Sequence, residues 1–212
     1  MTFELNTVAP SKLRWFHNRL RIFYIVLLLL CGLAAWILIP VGRQIVAVNR
    51  VQRLSGYFGY HEKSSFHWAF RNILPNDFVY FVDYIDFSSR SKLSDSDLEC
   101  LAPFSQLERL YLQNTKVTDA GLVHLTGLTE LDLSGTLVSD VGIVTLKCLS
   151  QLREIKLQNT KITDASLLGL QGQSQLTVIY LDGSLITTQG LDEFKRILPK
   201  CRIHYNGRTY KE

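Results

Sequence analysis

The chain has 212 residues, of which 47% are hydrophobic, and it carries 23 lysine and arginine residues against 19 acids. That length allows one modest domain and an appendage. Residues 1–21 hold four basic residues and one acid, and so account for most of the net charge of +4. Because the remainder is nearly neutral, the composition excludes the strongly basic surface typical of nucleic-acid binding.

Residues 22–42 form an uncharged, mostly apolar stretch of 21 residues. An α-helix of this length spans about 30 Å, the thickness of a hydrocarbon core, so the stretch predicts a transmembrane helix in a lipid bilayer. The alternative is a signal peptide cleaved near residues 32–34. However, the apolar run continues through residues 36–39, which is too long for an ordinary signal-peptide core.

The charges beside this stretch predict its orientation. Residues 1–21 are more densely basic than the segment after it, where Arg43, Arg50 and Arg53 follow. The positive-inside rule therefore makes residues 1–21 a cytoplasmic tail and places the bulk of the chain outside.

Residues 43–81 are expected to form a juxtamembrane helix and an aromatic N-terminal cap. Apolar residues recur through residues 43–56 with the spacing of an amphipathic helix, and residues 57–81 hold nine aromatic side chains. A stack of repeats needs its first repeat covered, since a bare apolar end would aggregate. We expect a strand at 57–60 and a helix at 66–74 within this cap.

The pattern Leu-x-x-Leu-x-Leu recurs in the second half of the chain. Its copies start at Leu107, Leu128, Leu152 and Leu176, with a degenerate copy at Val82. Spacings of 21, 24 and 24 residues are typical of leucine-rich repeats. The predicted fold is therefore an α/β solenoid of short parallel strands and convex helices, with a C-terminal capping strand. It covers residues 82–207 and leaves residues 208–212 as a tail.

A threonine or serine followed by aspartate comes after most of these strands. The pairs are Thr118-Asp119, Ser139-Asp140 and Thr163-Asp164, whereas Thr187-Thr188 lacks the acid. The hydroxyl is a natural N-cap, and an aspartate in the first turn interacts favourably with the helix dipole. In the first regular repeat we expect a helix from Asp119 to Leu128. These aspartates are thus explained without catalysis.

The sequence LERLYLQNTKVTDAGLVHLTGL, residues 107–128, resembles the repeat of membrane-anchored leucine-rich-repeat proteins of planctomycete bacteria. VNRVQRLSGYFGY before the repeats and ILPKCRIHYNG at their end resemble the flanks of that family, so the resemblance covers about residues 43–207. The repeats are also similar to those of eukaryotic F-box proteins, but the sequence shows no F-box segment. The planctomycete resemblance implies this architecture and a membrane anchor. With the charge pattern beside residues 22–42, it predicts a single-pass protein of the bacterial cytoplasmic membrane whose repeats lie outside the cytoplasm.

Side chains between the leucines alternate with them and point away from the core. We call the surface that they line the concave face. Its predicted binding residues are Tyr84, Arg109, Glu130 and Glu154 in one row, which Val178 continues, and Asp86, Tyr111, Asp132, Lys156 and Tyr180 in another. Tyrosine and arginine carry much of the energy of protein interfaces, so the rows predict a surface for a protein or peptide partner. The alternative is that Arg109 with Glu130, and Asp132 with Lys156, merely pair across neighbouring strands.

Other polar groups favour structural roles. His61, Glu62 and His67 match no zinc motif, and His124 is expected on a helix surface. Residues 94–97 predict a helix cap rather than a cation site. The three cysteines after the membrane stretch are far apart, which favours buried thiols over disulfides. We find no catalytic constellation, so the sequence predicts no enzyme, cofactor, metal or small-molecule substrate.

These observations favour a membrane-tethered binding module that presents its concave face to a protein or peptide. Two alternatives stay open. One is a structural or self-assembling envelope protein without a discrete ligand, and the other is a regulatory enzyme subunit recruited through the membrane helix.

Overall fold

The computed structural model describes residues 26–29, 32, 42–61 and 81–210. The chain divides into two compact units, Met1–Arg43 and Gln44–Glu212. The described residues of the first unit are helical. Most of the predicted transmembrane stretch lies outside the described residues, as does the helix expected at 66–74. Within the described ranges, no helix combines the length and apolar character needed to cross a bilayer.

The second unit contains one eight-stranded sheet whose strands lie in chain order. The strands are β1 Tyr57–His61, β2 Phe81–Asp86, β3 Arg109–Tyr111, β4 Glu130–Asp132, β5 Glu154–Lys156, β6 Val178–Tyr180, β7 Arg202–Tyr205 and β8 Arg208–Tyr210. β2 to β7 pair in parallel, while β1 and β8 pair antiparallel at the two edges. This order confirms the α/β leucine-rich-repeat architecture predicted from the leucine spacing.

Short helical segments connect the strands on the convex side. Among the described residues, the α-helices are α1 (residues 42–53), which precedes β1, α2 Asp140–Thr145, α3 Asp164–Gly169 and α4 Thr188–Ile197. The 3₁₀ helices are Asp95–Leu101, Asp119–His124 and Leu146–Cys148. The helix expected to continue to Leu128 therefore ends earlier and is 3₁₀. The chain leaves it at Leu125 because that side chain, like Leu128, is buried in the core.

The strand leucines and isoleucines form one continuous core. Leu110, Leu131, Ile155 and Ile179 lie opposite one another in the parallel register and are fully buried. At the N-terminal end, Ala47, Val48 and Val51 of α1 join this core, whereas Val46 is exposed. Burial of each large apolar side chain stabilises the fold by about 1.5–3 kcal/mol, which a single repeat could not accumulate alone.

The C-terminal end closes with a hairpin that the sequence analysis missed. Residues 208–210 were expected to belong to a tail, but they form β8 and pair with β7. Asn206 and Gly207 join the two strands with φ of 51° and 70°. Positive φ at both central residues is the geometry of a type I′ turn, for which Asn-Gly is the preferred sequence.

The aspartates after the N-cap residues bind the next repeat, a role not predicted from the sequence. Oδ1 of Asp119 accepts from the backbone N–H of Ser139 at 2.8 Å, and Oδ2 accepts from its hydroxyl at 2.6 Å. The same two bonds join Asp95 to Thr118, Asp140 to Thr163 and Asp164 to Thr187. We call Asp95, Asp119, Asp140 and Asp164 the aspartate line.

Each carboxylate of this line contacts a small residue in the helical segment of the next repeat. A Cβ on Gly142 would contact Oδ1 of Asp119 and come within 3.0 Å of Leu122 Cδ1. In the following repeat the equivalent residue is Ser166, whose hydroxyl donates to Asp140. The position two residues after the aspartate therefore takes a small residue, because the carboxylate of the preceding repeat lies against it.

A second alternation follows the strands. Asn114, Gly135, Asn159 and Gly183 occupy the same turn position with φ between 54° and 72°. A Cβ on Gly135 would contact Oδ1 of Asn114, and one on Gly183 would contact Oδ1 of Asn159. Asparagine and glycine both tolerate this left-handed conformation, so each asparagine covers the glycine of the next repeat.

The three described cysteines are free thiols. Cys100 and Cys201 are buried as predicted, and burial raises the pKa of Cys100 to about 11 and that of Cys201 to about 12. The prediction is wrong for Cys148, which is exposed on the convex side between the inward-facing Leu146 and Leu149.

Candidate functional site

The strand register places the predicted binding residues in two aligned rows. Residues 84, 109, 130 and 154 are Cα partners from strand to strand, and so are residues 86, 111, 132, 156 and 180. Their neighbours in the strands, such as Leu110 and Leu131, are fully buried. Since successive side chains point to opposite faces of a sheet, the two rows lie on the concave face.

Arg109 is held at the N-terminal end of this face. Its guanidinium donates to Oδ2 of Asp83 at 2.7 Å and lies 5.2 Å from the ring centre of Tyr84. The Asp83 hydrogen bond raises the pKa of Arg109. The Tyr84 ring itself packs on Gly59 of β1, where a Cβ would collide with it. The terminal strand β1 therefore positions the first aromatic group of the concave face.

Lys156 occupies the centre of the face. Its ammonium nitrogen lies 3.4 Å from Glu154 Oε1 and 3.6 Å from Glu130 Oε1, and 5.8 Å from the ring centres of both Tyr111 and Tyr180. Partial burial opposes its charged form, but the surrounding carboxylates outweigh burial and raise the pKa of Lys156. One cation thus links two tyrosines and two glutamates.

The aromatic rings continue on both sides of this lysine. Tyr111 donates its hydroxyl to Glu130 Oε1 at 3.2 Å and lies 6.5 Å from Tyr84, with the two rings tilted. Burial, followed by the nearby Glu130 charge, raises the pKa of Tyr111. Tyr180 stacks on His204 of β7 with ring centres 4.4 Å apart. The result is a half-exposed aromatic row that crosses most of the sheet.

The aspartates of the second row also support the backbone. Asp86 Oδ1 accepts from the N–H of Ser88 at 2.7 Å, and Asp132 Oδ1 accepts from the N–H of Ser134 at 2.9 Å. Asp132 is only 6% exposed, whereas Asp86 is half-buried. Each aspartate therefore supports the turn after its strand through one carboxylate oxygen.

The cross-strand ion pairs expected from the sequence differ from those in the structure. Arg109 pairs with Asp83 rather than Glu130, and Lys156 pairs with the two glutamates rather than Asp132. The long side chains reach diagonally, and Asp132 is already engaged by the turn. The simple alternative of directly opposed pairs is therefore wrong.

Asp83 and His204 were not predicted as part of this surface. His204 continues the second row by one strand, so extending that row into the closing strand would have identified it. Asp83 gave no sequence signal, since its burial depends on the Arg109 side chain from the next repeat.

The remaining polar candidates have structural surroundings. Asp97 Oδ2 accepts from both the N–H and the hydroxyl of Ser94, which confirms the predicted helix cap. His124 is half-buried beside a small apolar pocket lined by Leu125 and Leu128. The side chains of His61, Glu62 and His67 lie outside the described residues. In the described part of the chain, no group of three or more metal-ligating side chains comes together.

No protein-family model matches the sequence, and comparison with curated proteins gives no match. Similarity to solved structures is partial. A leucine-rich-repeat protein of Leptospira interrogans matches at 21% identity over 50% of this chain and 27% of its own, with a TM-score of 0.40. An internalin of Listeria monocytogenes matches at 22% identity over 51% and 37%, with a TM-score of 0.36. The actin-binding site 2 of leiomodin-1 matches at 14% identity over 68% and 80%, with a TM-score of 0.38.

The chain thus spans about a quarter to a third of the length of the two bacterial proteins. The solenoid assignment rests on this chain's own strand order, register and leucine core.

Proposed function

We propose that the chain is a membrane-tethered leucine-rich-repeat module whose concave face binds a protein or peptide. The observation that carries this proposal is the row of Tyr111, Lys156, Tyr180 and His204. These four side chains lie beside one another on a half-exposed surface, and none of them belongs to the leucine core. Rigid tyrosines beside charged groups are typical of interface hot spots.

The binding test compares the full chain with a Tyr111→Ala/Tyr180→Ala variant as bait in extracts of the native cell. We expect the variant to lose the proteins that the wild-type chain enriches, as measured by quantitative mass spectrometry. A matched control is Val141→Ala/Leu185→Ala, which truncates two exposed side chains outside the concave rows. Equal enrichment by all three baits would contradict the proposal. Far-UV circular dichroism establishes that each bait is folded.

The tether and its orientation rest on the uncharged residues 22–42 and on the basic residues before them. We propose that this stretch spans a bacterial cytoplasmic membrane with the repeats outside. Exposed Cys148 supplies a probe, because Cys100 and Cys201 are buried with raised pKa values and react slowly. We expect a membrane-impermeant maleimide to label intact spheroplasts carrying the wild-type chain but not Cys148→Ser. Labelling only after lysis would place the repeats inside.

Self-assembly in the envelope is a second candidate, favoured by an exposed apolar row on the convex side. Val123, Val144 and Leu168 occupy equivalent positions in three successive helical segments and are 44–62% exposed. Aligned apolar side chains of this kind suit contact with another chain. Size-exclusion chromatography with light scattering tests it. A monomer at high protein concentration would exclude self-assembly through this row.

A further inference from the structure

The concave face carries more negative than positive charge. Between β2 and β6 its two rows contain four carboxylates, Asp86, Glu130, Asp132 and Glu154, but only two cations. Arg109 is already paired with Asp83, which lies outside the rows. Lys156 is the cation that Glu154, Asp132 and Glu130 surround, and Arg109 adds its charge near Glu130.

Asp132 is the most buried member of this group. It is 6% exposed, and its one hydrogen bond among the described residues is the N–H of Ser134 to Oδ1. Lys156 acts on it through charge alone, without a hydrogen bond. The adjacent Ser134 hydroxyl is buried and also lacks a partner. A buried polar group without a partner costs free energy, so a ligand group that pairs with the Ser134 hydroxyl, together with a donor to the second oxygen of Asp132, would be stabilising here.

The face already shows how it holds a cation. The Arg109 guanidinium lies over the Tyr84 ring and on the Asp83 carboxylate. Tyr111 lies between Asp86 and Asp132 in the second row, and its hydroxyl binds Glu130. An aromatic ring with a carboxylate beside it attracts a cation through both the ring quadrupole and the negative charge. The neighbourhood of Tyr111 and Asp132 repeats that combination.

We infer that the concave face around Tyr111 and Asp132 binds an arginine or lysine side chain from an extended, positively charged peptide segment. This inference rests on the proposed function and adds the chemical class of the partner. Asp132 accepts the cationic N–H group, and the Tyr111 ring covers its apolar stem. Glu130, Glu154 and Asp86 supply the surrounding negative potential, which speeds encounter with a basic partner.

The spacing of the carboxylates suggests how the partner is arranged. Asp86 and Asp132 are two strands apart, which corresponds to about 9.6 Å. A polyproline II peptide advances about 9.3 Å in three residues and returns each third side chain to the same side. A basic residue at every third position of such a peptide therefore matches the two aspartates.

The test uses the full chain in detergent micelles and three fluorescein-labelled dodecapeptides, (Arg-Pro-Pro)₄, (Gln-Pro-Pro)₄ and (Glu-Pro-Pro)₄, followed by fluorescence anisotropy. We expect the arginine peptide to bind at least tenfold more tightly than the glutamine peptide, and the glutamate peptide not to bind. Its affinity should fall as salt is added, because exposed charge pairs are screened. The near-isosteric Asp132→Asn should weaken the arginine peptide roughly tenfold.

Lys156 supplies a prediction of opposite sign. Lys156→Met removes the cation that competes for the same carboxylates, so we expect tighter binding of the arginine peptide. The matched control Lys161→Met, on an exposed turn outside the two rows, should leave binding unchanged. If Asp132→Asn disturbs the fold by circular dichroism, Glu154→Gln replaces it and should weaken binding several-fold.

Four outcomes would overturn the inference: preferred binding of the glutamate peptide, equal binding of all three peptides, no binding of any, or loss of binding in Lys156→Met. Each leaves the proposed function standing if the bait experiment still depends on Tyr111 and Tyr180. Conversely, binding of the arginine peptide that resists the aspartate and tyrosine substitutions would place the basic site elsewhere.

Discussion

The aspartate line and the concave face are both polar, but they are built differently. Asp95, Asp119, Asp140 and Asp164 make the same two hydrogen bonds to the N-cap residue of the next repeat. On the concave face, each charged residue has a different set of partners. Arg109 binds an aspartate and a ring, whereas Lys156 lies among two glutamates and two rings.

This difference separates the two roles of polar residues in a repeat protein. A contact repeated at every junction is required for stacking, because each repeat must attach to its neighbour in the same geometry. A surface whose contacts change from strand to strand is not required by stacking. We therefore expect substitutions along the aspartate line to change stability strongly and substitutions on the concave face to change it little.

The largest effect is expected for Asp119→Ala. The variant loses both hydrogen bonds to Ser139, and a hydrogen bond to a charged group contributes about 1.5–3 kcal/mol. We expect a loss of about 2–3 kcal/mol in the free energy of unfolding by urea. Asp192→Ala, an exposed aspartate on α4, is the control and should change stability by less than about 0.5 kcal/mol. If the two variants lose similar amounts of unfolding free energy, the aspartate line is no more important for stability than an exposed aspartate.

Gly142→Ala tests the space beneath the line. Helix preference alone would stabilise the alanine variant by about 0.5–1 kcal/mol. The new Cβ would instead collide with the Asp119 carboxylate, and overpacking typically costs about 1–3 kcal/mol. We expect net destabilisation in urea unfolding. Gly172→Ala, where a Cβ meets nothing within 4 Å, should be neutral. A stabilised Gly142→Ala variant would contradict this, because the Asp119 carboxylate would then move aside at little cost.

Lys156→Met should have a smaller effect on stability, despite the central position of the lysine. Its side chain is 27% exposed, and partly solvated ion pairs contribute about 0–1 kcal/mol. We expect a change in unfolding free energy of less than about 1 kcal/mol. A loss as large as that of Asp119→Ala would mean that the concave cluster is structural.

Acid should weaken the junction that Asp140 makes with the next repeat. Burial acts to raise the pKa of Asp140, but hydrogen bonds from Ser166 and Thr163 outweigh it and lower the pKa below the ordinary value of 3.8. A carboxylate with a lowered pKa in the folded state stabilises the fold above pH 3.8, and that contribution disappears as the pH falls through the lower value. We expect the Tm difference between wild type and Asp140→Asn to shrink below pH 4. A constant difference down to pH 2 would contradict this.

The leucine period predicted the strands, their order and the two concave rows, because burial requires the same alternation in each repeat. It did not predict how repeats attach to one another. The second carboxylate oxygen of each Asp119-type residue accepts from a hydroxyl 20 or more residues away, and helix capping alone already explained the Thr-Asp step. Because the helix start already accounted for these aspartates, nothing in the sequence indicated their second contact with the next repeat.

The charged partners on the concave face were not predictable for a different reason. Strand pairing places Arg109 directly opposite Glu130, but its side chain is long enough to bind Asp83, the residue before its other Cα partner Tyr84. By contrast, β8 could have been predicted, because Asn206-Gly207 is a typical hairpin turn. It was not predicted because it lies beyond the last leucine repeat. The aromatic row needed only the strand register, and therefore the tyrosines were located correctly.

Successive repeats alternate between asparagine and glycine at one turn position, which is occupied by Asn114, Gly135, Asn159 and Gly183. Each asparagine leans over the glycine of the following repeat, so neighbouring repeats are not interchangeable at this turn. Deleting one repeat would bring two glycines together, leaving a gap, or two asparagines, whose side chains compete for one space. Removing or adding two repeats would preserve the order. For lengthening, shortening or recombining this scaffold, the natural modular unit is therefore a pair of repeats.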